Sequence, residues 1–101
     1  MSSLEQQYED LLSKARMLRS RGETKKSIDA YKAVLEVSPT STDALNEMGL
    51  AHIHIGEQDI AIQVFDQAIS VDASNEEAHS NKVDAYLTIG DFENALQAAE
   101  V

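Results

Sequence analysis

From residue 44 the apolar positions fall at Ala44, Leu45, Met48, Ala51 and Ile55, with His52 in the same series. Steps of three and four put these side chains on one face of a helix. From residue 60 a second run, through Ala61, Val64, Phe65, Ala68, Ile69 and Val71, keeps the same period. Gly56 stands between the runs and suits a helix C-terminus, where a positive φ is tolerated. The pattern predicts two helices joined by a tight turn. It also settles the stretch LAHIHIGEQD, residues 50–59, whose alternation of His and Ile would otherwise suit a strand. On a helix, residues two apart point about 200° from each other. His52 and His54 therefore cannot chelate one metal; His52 is expected to be packed or hydrogen-bonded, and His54 to point outward.

The same pattern recurs. Gly22, Gly56 and Gly90 are spaced 34 residues apart, and each is followed by an acid, Glu23, Glu57 or Asp91. The 34-residue step also carries Ile28 to Ile62 to Leu96, Tyr31 to Phe65, Leu35 to Ile69, and Ile55 to Ile89. A fixed period of this size is the signature of a helical repeat. Ser74 followed by Glu77 reads as a capping box at the start of the next pair, with Thr40 and Asp43 as a weaker version one repeat earlier. Pro39 disfavours helix at Ser38 and marks the break before them.

A helix–turn–helix unit of this length and pattern resembles the tetratricopeptide repeat (TPR) family. Residues 42–75 match best, with Met48–Gly49, His52, Ala61, Phe65 and Ala68 at the family's signature places and Ala73 in place of its closing proline. Residues 8–41 form a more divergent first repeat, with Leu11, Leu18, Gly22, Tyr31 and Pro39 fitting. Residues 76–101 form a partial third repeat, in which Tyr86, Gly90, Phe92 and Ala95 fit. The resemblance implies an all-α, right-handed α-solenoid of about three hairpins, a single domain over residues 1–101. Gly49 and Ala61 are expected to let the helices of a pair approach closely, and Phe65 to fill the space between neighbouring repeats. A coiled coil is disfavoured because the apolar pattern resets at each turn.

The resemblance further implies that the first helix of each pair lines a concave groove holding a peptide or partner helix. Counting from each repeat start assigns Leu12, Arg16 and Arg19 to that groove from the first repeat. The second gives Asn46, Leu50, Ile53 and His54, and the third gives Asn81, Asp84 and Leu87. Leu12, Leu50, Ile53 and Leu87 are expected to form an apolar strip, or else to be isolated surface residues of the ordinary kind. Asn46 and Asn81 suit a ligand backbone, since an amide both donates and accepts. Family members that clamp a C-terminal carboxylate do so with Lys, Asn and Arg; those places here hold Leu12, Arg16, Glu47, Glu77 and Asn81. Two carboxylates there repel an acidic tail, so that use is not expected.

Composition narrows the chemistry. With no cysteine among 101 residues, disulfides and thiolate sites are excluded. The net charge of −10 is uneven: residues 1–35 carry seven Lys/Arg and five Asp/Glu, and residues 36–101 carry one Lys and thirteen Asp/Glu. Such a field opposes nucleic-acid binding over most of the chain and serves solubility or a preference for basic partners. The basic group Lys14, Arg16, Arg19, Arg21, Lys25 and Lys26 has little aromatic company, a weak case for nucleic acid. No nucleophile–base–orienter set and no phosphate loop is found, so no catalysis and no cofactor are expected. Without a membrane-spanning run or a signal peptide at the start, a cytoplasmic location is expected. A monomeric fragment of a longer protein is expected, because the third repeat stops inside its second helix. The alternatives are a scaffold that stacks end to end, or the docking part of a longer enzyme.

Overall fold

The computed structural model describes residues 3–100, in a body of 50 × 28 × 15 Å. Six helices follow one another: α1 (Leu4–Ser20), α2 (Thr24–Val37), α3 (Thr42–His54), α4 (Gln58–Val71), α5 (Glu76–Thr88) and α6 (Phe92–Ala99). There is no strand among the described residues. Each helix packs on the next, α3 also touches α5, and Arg16 of α1 reaches Glu47 of α3, so the odd-numbered helices are neighbours along the array. The result is a helical-repeat solenoid of three hairpins, as the sequence pattern implies.

Every odd-numbered helix begins with a side-chain cap. Ser3 accepts from the Gln6 amide at 3.0 Å, Ser41 from Ala44 at 3.1 Å, and Asn75 from Ala78 at 2.8 Å. The capping residues differ by one from those expected. Thr40 and Ser74 lie in the preceding turns, and Ser74 Oγ instead donates to Asp72 Oδ1 at 2.8 Å. The reason is that α3 and α5 start one residue later, which leaves Ser41 and Asn75 with extended backbone, the conformation a cap requires.

The turn within each hairpin is closed by its glycine. Gly56 has φ of +82°, and beyond it the Glu57 amide reaches back to the His52 carbonyl at 2.9 Å. Only the left-handed conformation, which a side chain makes strained, lets the chain reverse there and still satisfy that carbonyl. Gly22 and Gly90 repeat the geometry.

The core lies between hairpins as much as within them. Leu12, Ala15, Tyr31, Val34, Ala44, Leu45, Met48 and Val64 form one buried cluster across the first two hairpins. Ala61, Ile62, Phe65 and Ala85 form a second across the last two, with Leu50, Ile53 and Tyr86 partly buried against it. Phe65 therefore fills the space between repeats as expected. Its ring also lies directly over Gly49, so close that a Cβ on residue 49 would overlap Phe65 Cε1 and Cζ. His52 is buried, and its Nδ1 is 2.9 Å from Glu57 Oε1, while His54 is exposed, as the helical reading requires.

Candidate functional site

The residues that counting assigned to the groove lie on α1, α3 and α5, but not all of them are free. Arg16 on α1 reaches α3 and binds Glu47 through two parallel bonds, Nε to Oε1 at 2.8 Å and Nη2 to Oε2 at 2.7 Å. Tyr31 of α2 donates its hydroxyl to the same Oε1 at 3.0 Å. Burial by itself would raise the Glu47 pKa. The bonds from Arg16 and Tyr31 outweigh it and hold the carboxyl below the usual carboxylate range. Conversely, burial pushes the Tyr31 phenol up, with Arg19 opposing and Glu47 adding to the shift. Hydrogen bonding to Glu47 raises the Arg16 pKa further.

Arg16, Arg19, Ser20 and Tyr31 surround an open cavity of about 290 Å³ at the end of α1. Arg19 has no carboxylate within ion-pair distance among the described residues. On α3 and α5 the exposed charges include the acids Asp43, Glu77 and Asp84, opposite in sign to Arg19.

Leu50 and Ile53 are half-buried beside Phe65, and Leu87, one 34-residue step beyond Ile53, is 46% exposed on α5. Leu12 does not join them. At 3% exposure it belongs to the core, a correction to its expected place in the strip. Asn46 is likewise buried, at 1%, and its Nδ2 donates to Asn75 Oδ1 at 3.1 Å, so it joins two hairpins rather than facing a ligand. Leu12, Asn46 and Ser80 occupy one register position, 34 residues apart. The first two are covered where the following hairpin begins, and Ser80, the last, is exposed. Asn81 is half-buried, and neither its Nδ2 nor Asn46 Oδ1 has a partner among the described residues.

The Arg16–Glu47–Tyr31 cluster is what sequence reasoning missed, since Glu47 was read as a free carboxylate facing the ligand. Its signal was the spacing: 31 residues is one repeat less one helical turn, which brings adjacent first helices side by side. No group of three or more His, Cys, Asp or Glu side chains among the described residues is arranged to hold a metal ion.

Residues 12–78 and 47–101 each match the tetratricopeptide repeat family model. Tetratricopeptide repeat protein 34 of Xenopus laevis is 33% identical over 86 residues, covering 83% of this chain and 15% of that protein. The chain spans about a sixth of the length of the curated relatives it matches. Among solved structures, the Sgt2 TPR domain from Aspergillus fumigatus superposes with a TM-score of 0.86 at 26% identity, over 93% of this chain and 62% of that one. The second TPR of Spaghetti (RPAP3), solved bound to the HSP90 peptide SRMEEVD, gives 0.85 at 20% identity, over 94% and 88%.

Proposed function

The chain belongs to the tetratricopeptide repeat family, and from that premise we propose that it is a non-catalytic module that holds a partner segment along the α1–α3–α5 face. The repeats would run over residues 8–41, 42–75 and 76–101 of a single domain. What supports this reading is that Leu50, Ile53 and Leu87 of the first helices stay at least partly exposed, with the exposed acids Asp43, Glu77 and Asp84 on the same helices. The Spaghetti domain is a neighbour of this fold that holds a peptide. At 20% identity that likeness carries the fold alone, so the ligand is inferred from this chain's own side chains.

The charges favour a segment that is apolar and basic. Arg16 and Glu47 neutralise each other, which leaves Asp43, Glu77 and Asp84 against Arg19. A basic residue beside α5 gains from Asp84 and Glu77, whereas a peptide ending in several carboxylates meets like charge. Leu50, Ile53 and Leu87 supply apolar contact for side chains of the segment, and unpaired amide atoms are not needed for it.

Selection from a random peptide library tests this. The expected binders pair Lys or Arg with apolar residues, and Leu87→Ser or Asp84→Lys weakens them by about three- to tenfold. Both residues are exposed, so neither change threatens folding. Binders that are acidic, or that ignore both substitutions, would overturn the reading.

A further inference from the structure

The junction between the second and third hairpins is held by a pair whose register equivalents stand unpaired at the two ends of the described helices. Lys82 Nζ of α5 lies 2.8 Å from Asp66 Oδ1 of α4. One 34-residue step beyond Asp66 is Glu100, exposed after α6; two such steps before Lys82 is Lys14, exposed on α1. Neither Lys14 nor Glu100 has an ion-pair partner among the described residues.

Apolar positions repeat the relation. Ile28 and Ile62 are packed against the hairpin that follows each, at 5% and 8% exposure. Leu96, in the same register, is 63% exposed, and Phe92 beside it is 70% exposed. At the opposite end, Leu11, Lys14 and Leu18 hold the places at which the second hairpin buries Leu45, Met48 and His52. There the α1–α2 surface is an open groove of about 360 Å³, lined by Leu11, Leu18, Ala30 and Ala33 with Lys14, Lys26 and Asp29.

We propose that these two ends are one interface, and that its occupant is a second copy of this chain. The α6 helix of one copy seats on the α1–α2 groove of the next. Phe92 and Leu96 then cover Leu11 and Leu18, and Glu100 meets Lys14 as Asp66 meets Lys82. Charge selects this arrangement over a symmetric one. Residues 1–35 hold two more basic than acidic side chains, and residues 36–101 hold twelve more acidic than basic. Like ends repel and unlike ends attract. Because the two surfaces differ, the contact is heterologous and does not close at two copies; it extends the repeat from molecule to molecule. Copies with a net charge of −10 repel at a distance. At about 0.15 M salt a Debye length of about 8 Å screens that repulsion along the body while sparing pairs in direct contact. The interface lies at the ends and does not depend on the α1–α3–α5 face, so it stands or falls apart from the proposed peptide binding.

Sedimentation velocity on the full chain, from about 10 µM to about 1 mM at about 0.15 M salt, tests it in the range where weak contacts report. The expected result is a weight-average mass that rises past the dimer without a plateau. Leu96→Glu, at an exposed position, keeps the helical circular dichroism and remains monomeric. Lys14→Glu and Glu100→Lys each weaken association by about threefold or more, and the double exchange restores it to within about twofold of the original. A wild-type chain that is monomeric throughout, a plateau at the dimer, or a double exchange without restoration would overturn the proposal.

Discussion

Phe65 of α4 is fully buried, whereas Phe92, opening α6 one hairpin later, is 70% exposed. Ile62 and Leu96 share one register position and still differ, at 8% and 63%. Both helices carry the apolar face of an amphipathic helix, so the helix pattern by itself does not set burial. The difference is that α5 packs against α4, while no helix among the described residues follows α6. In a molecule of this kind each unit gains its core from its neighbours, and stability is close to a sum over junctions. A second contrast compensates within the hairpins. Gly49 faces the Phe65 ring, whereas one repeat later Val83 and Ala99 hold those two places. Bulk has moved from the second helix to the first.

The sharpest way to break this comparison is to truncate the two phenylalanines. Phe65→Ala removes a fully buried ring and is expected to lower stability by about 3–5 kcal/mol in urea denaturation. Phe92→Ala at an exposed position stays within about 0.5 kcal/mol. Equal losses would show that α6 carries a core of its own. Next in size is Gly49→Val, which drives a branched side chain into Phe65 and costs about 1–3 kcal/mol or more. Combined with Phe65→Ala, it transplants the arrangement of the third hairpin. The pair should lose clearly less than the two single losses added together, by thermal or chemical unfolding.

Gly56→Val follows, at about 1–2 kcal/mol, because a β-branched residue is forced to positive φ. The same change at Gly90 loosens the terminal hairpin alone. Hydrogen exchange is therefore expected to accelerate in α5 and α6 while α1 to α4 keep their protection. A smaller loss than at the glycines is expected at Glu47, whose partner Arg16 is half exposed to solvent. Glu47→Gln is expected to cost about 0.5–1 kcal/mol at neutral pH. The Glu47 pKa is lowered from its ordinary 4.5, so its contribution is complete above that value and is lost as pH falls through the depressed one. In acid titrations the difference between wild type and Glu47→Gln should shrink below about pH 4.5.

Much of the fold was legible because the period is physical. Glycines at 34-residue intervals mark turns that need positive φ, and three- and four-residue steps mark faces that need cover. Those signals are local and survive in one sequence. The caps at Ser41 and Asn75 were missed by one residue, since Thr40 and Ser74 also offer an oxygen that accepts from a helix N-terminus, and backbone conformation decides between neighbours. The face was less legible than the fold. Counting by repeat put Arg16, Leu50, Ile53, His54 and Leu87 on first helices at positions that stay at least partly exposed, because helix geometry fixes direction. It could not show that Leu12 and Asn46 are covered, because that cover comes from the next hairpin. Nor did it show that Arg16 is already engaged, since its partner lies on another helix.

The central claim is that a partner segment lies along α1, α3 and α5. Amide chemical-shift mapping with a basic, apolar peptide from the library tests it most directly. The account predicts perturbations along residues 12–20, 46–54 and 80–88, strongest at Leu50, Asp84 and Leu87, with the outer faces of α2 and α4 unchanged. Perturbations confined to α2, α4 or the exposed side of α6 would contradict it.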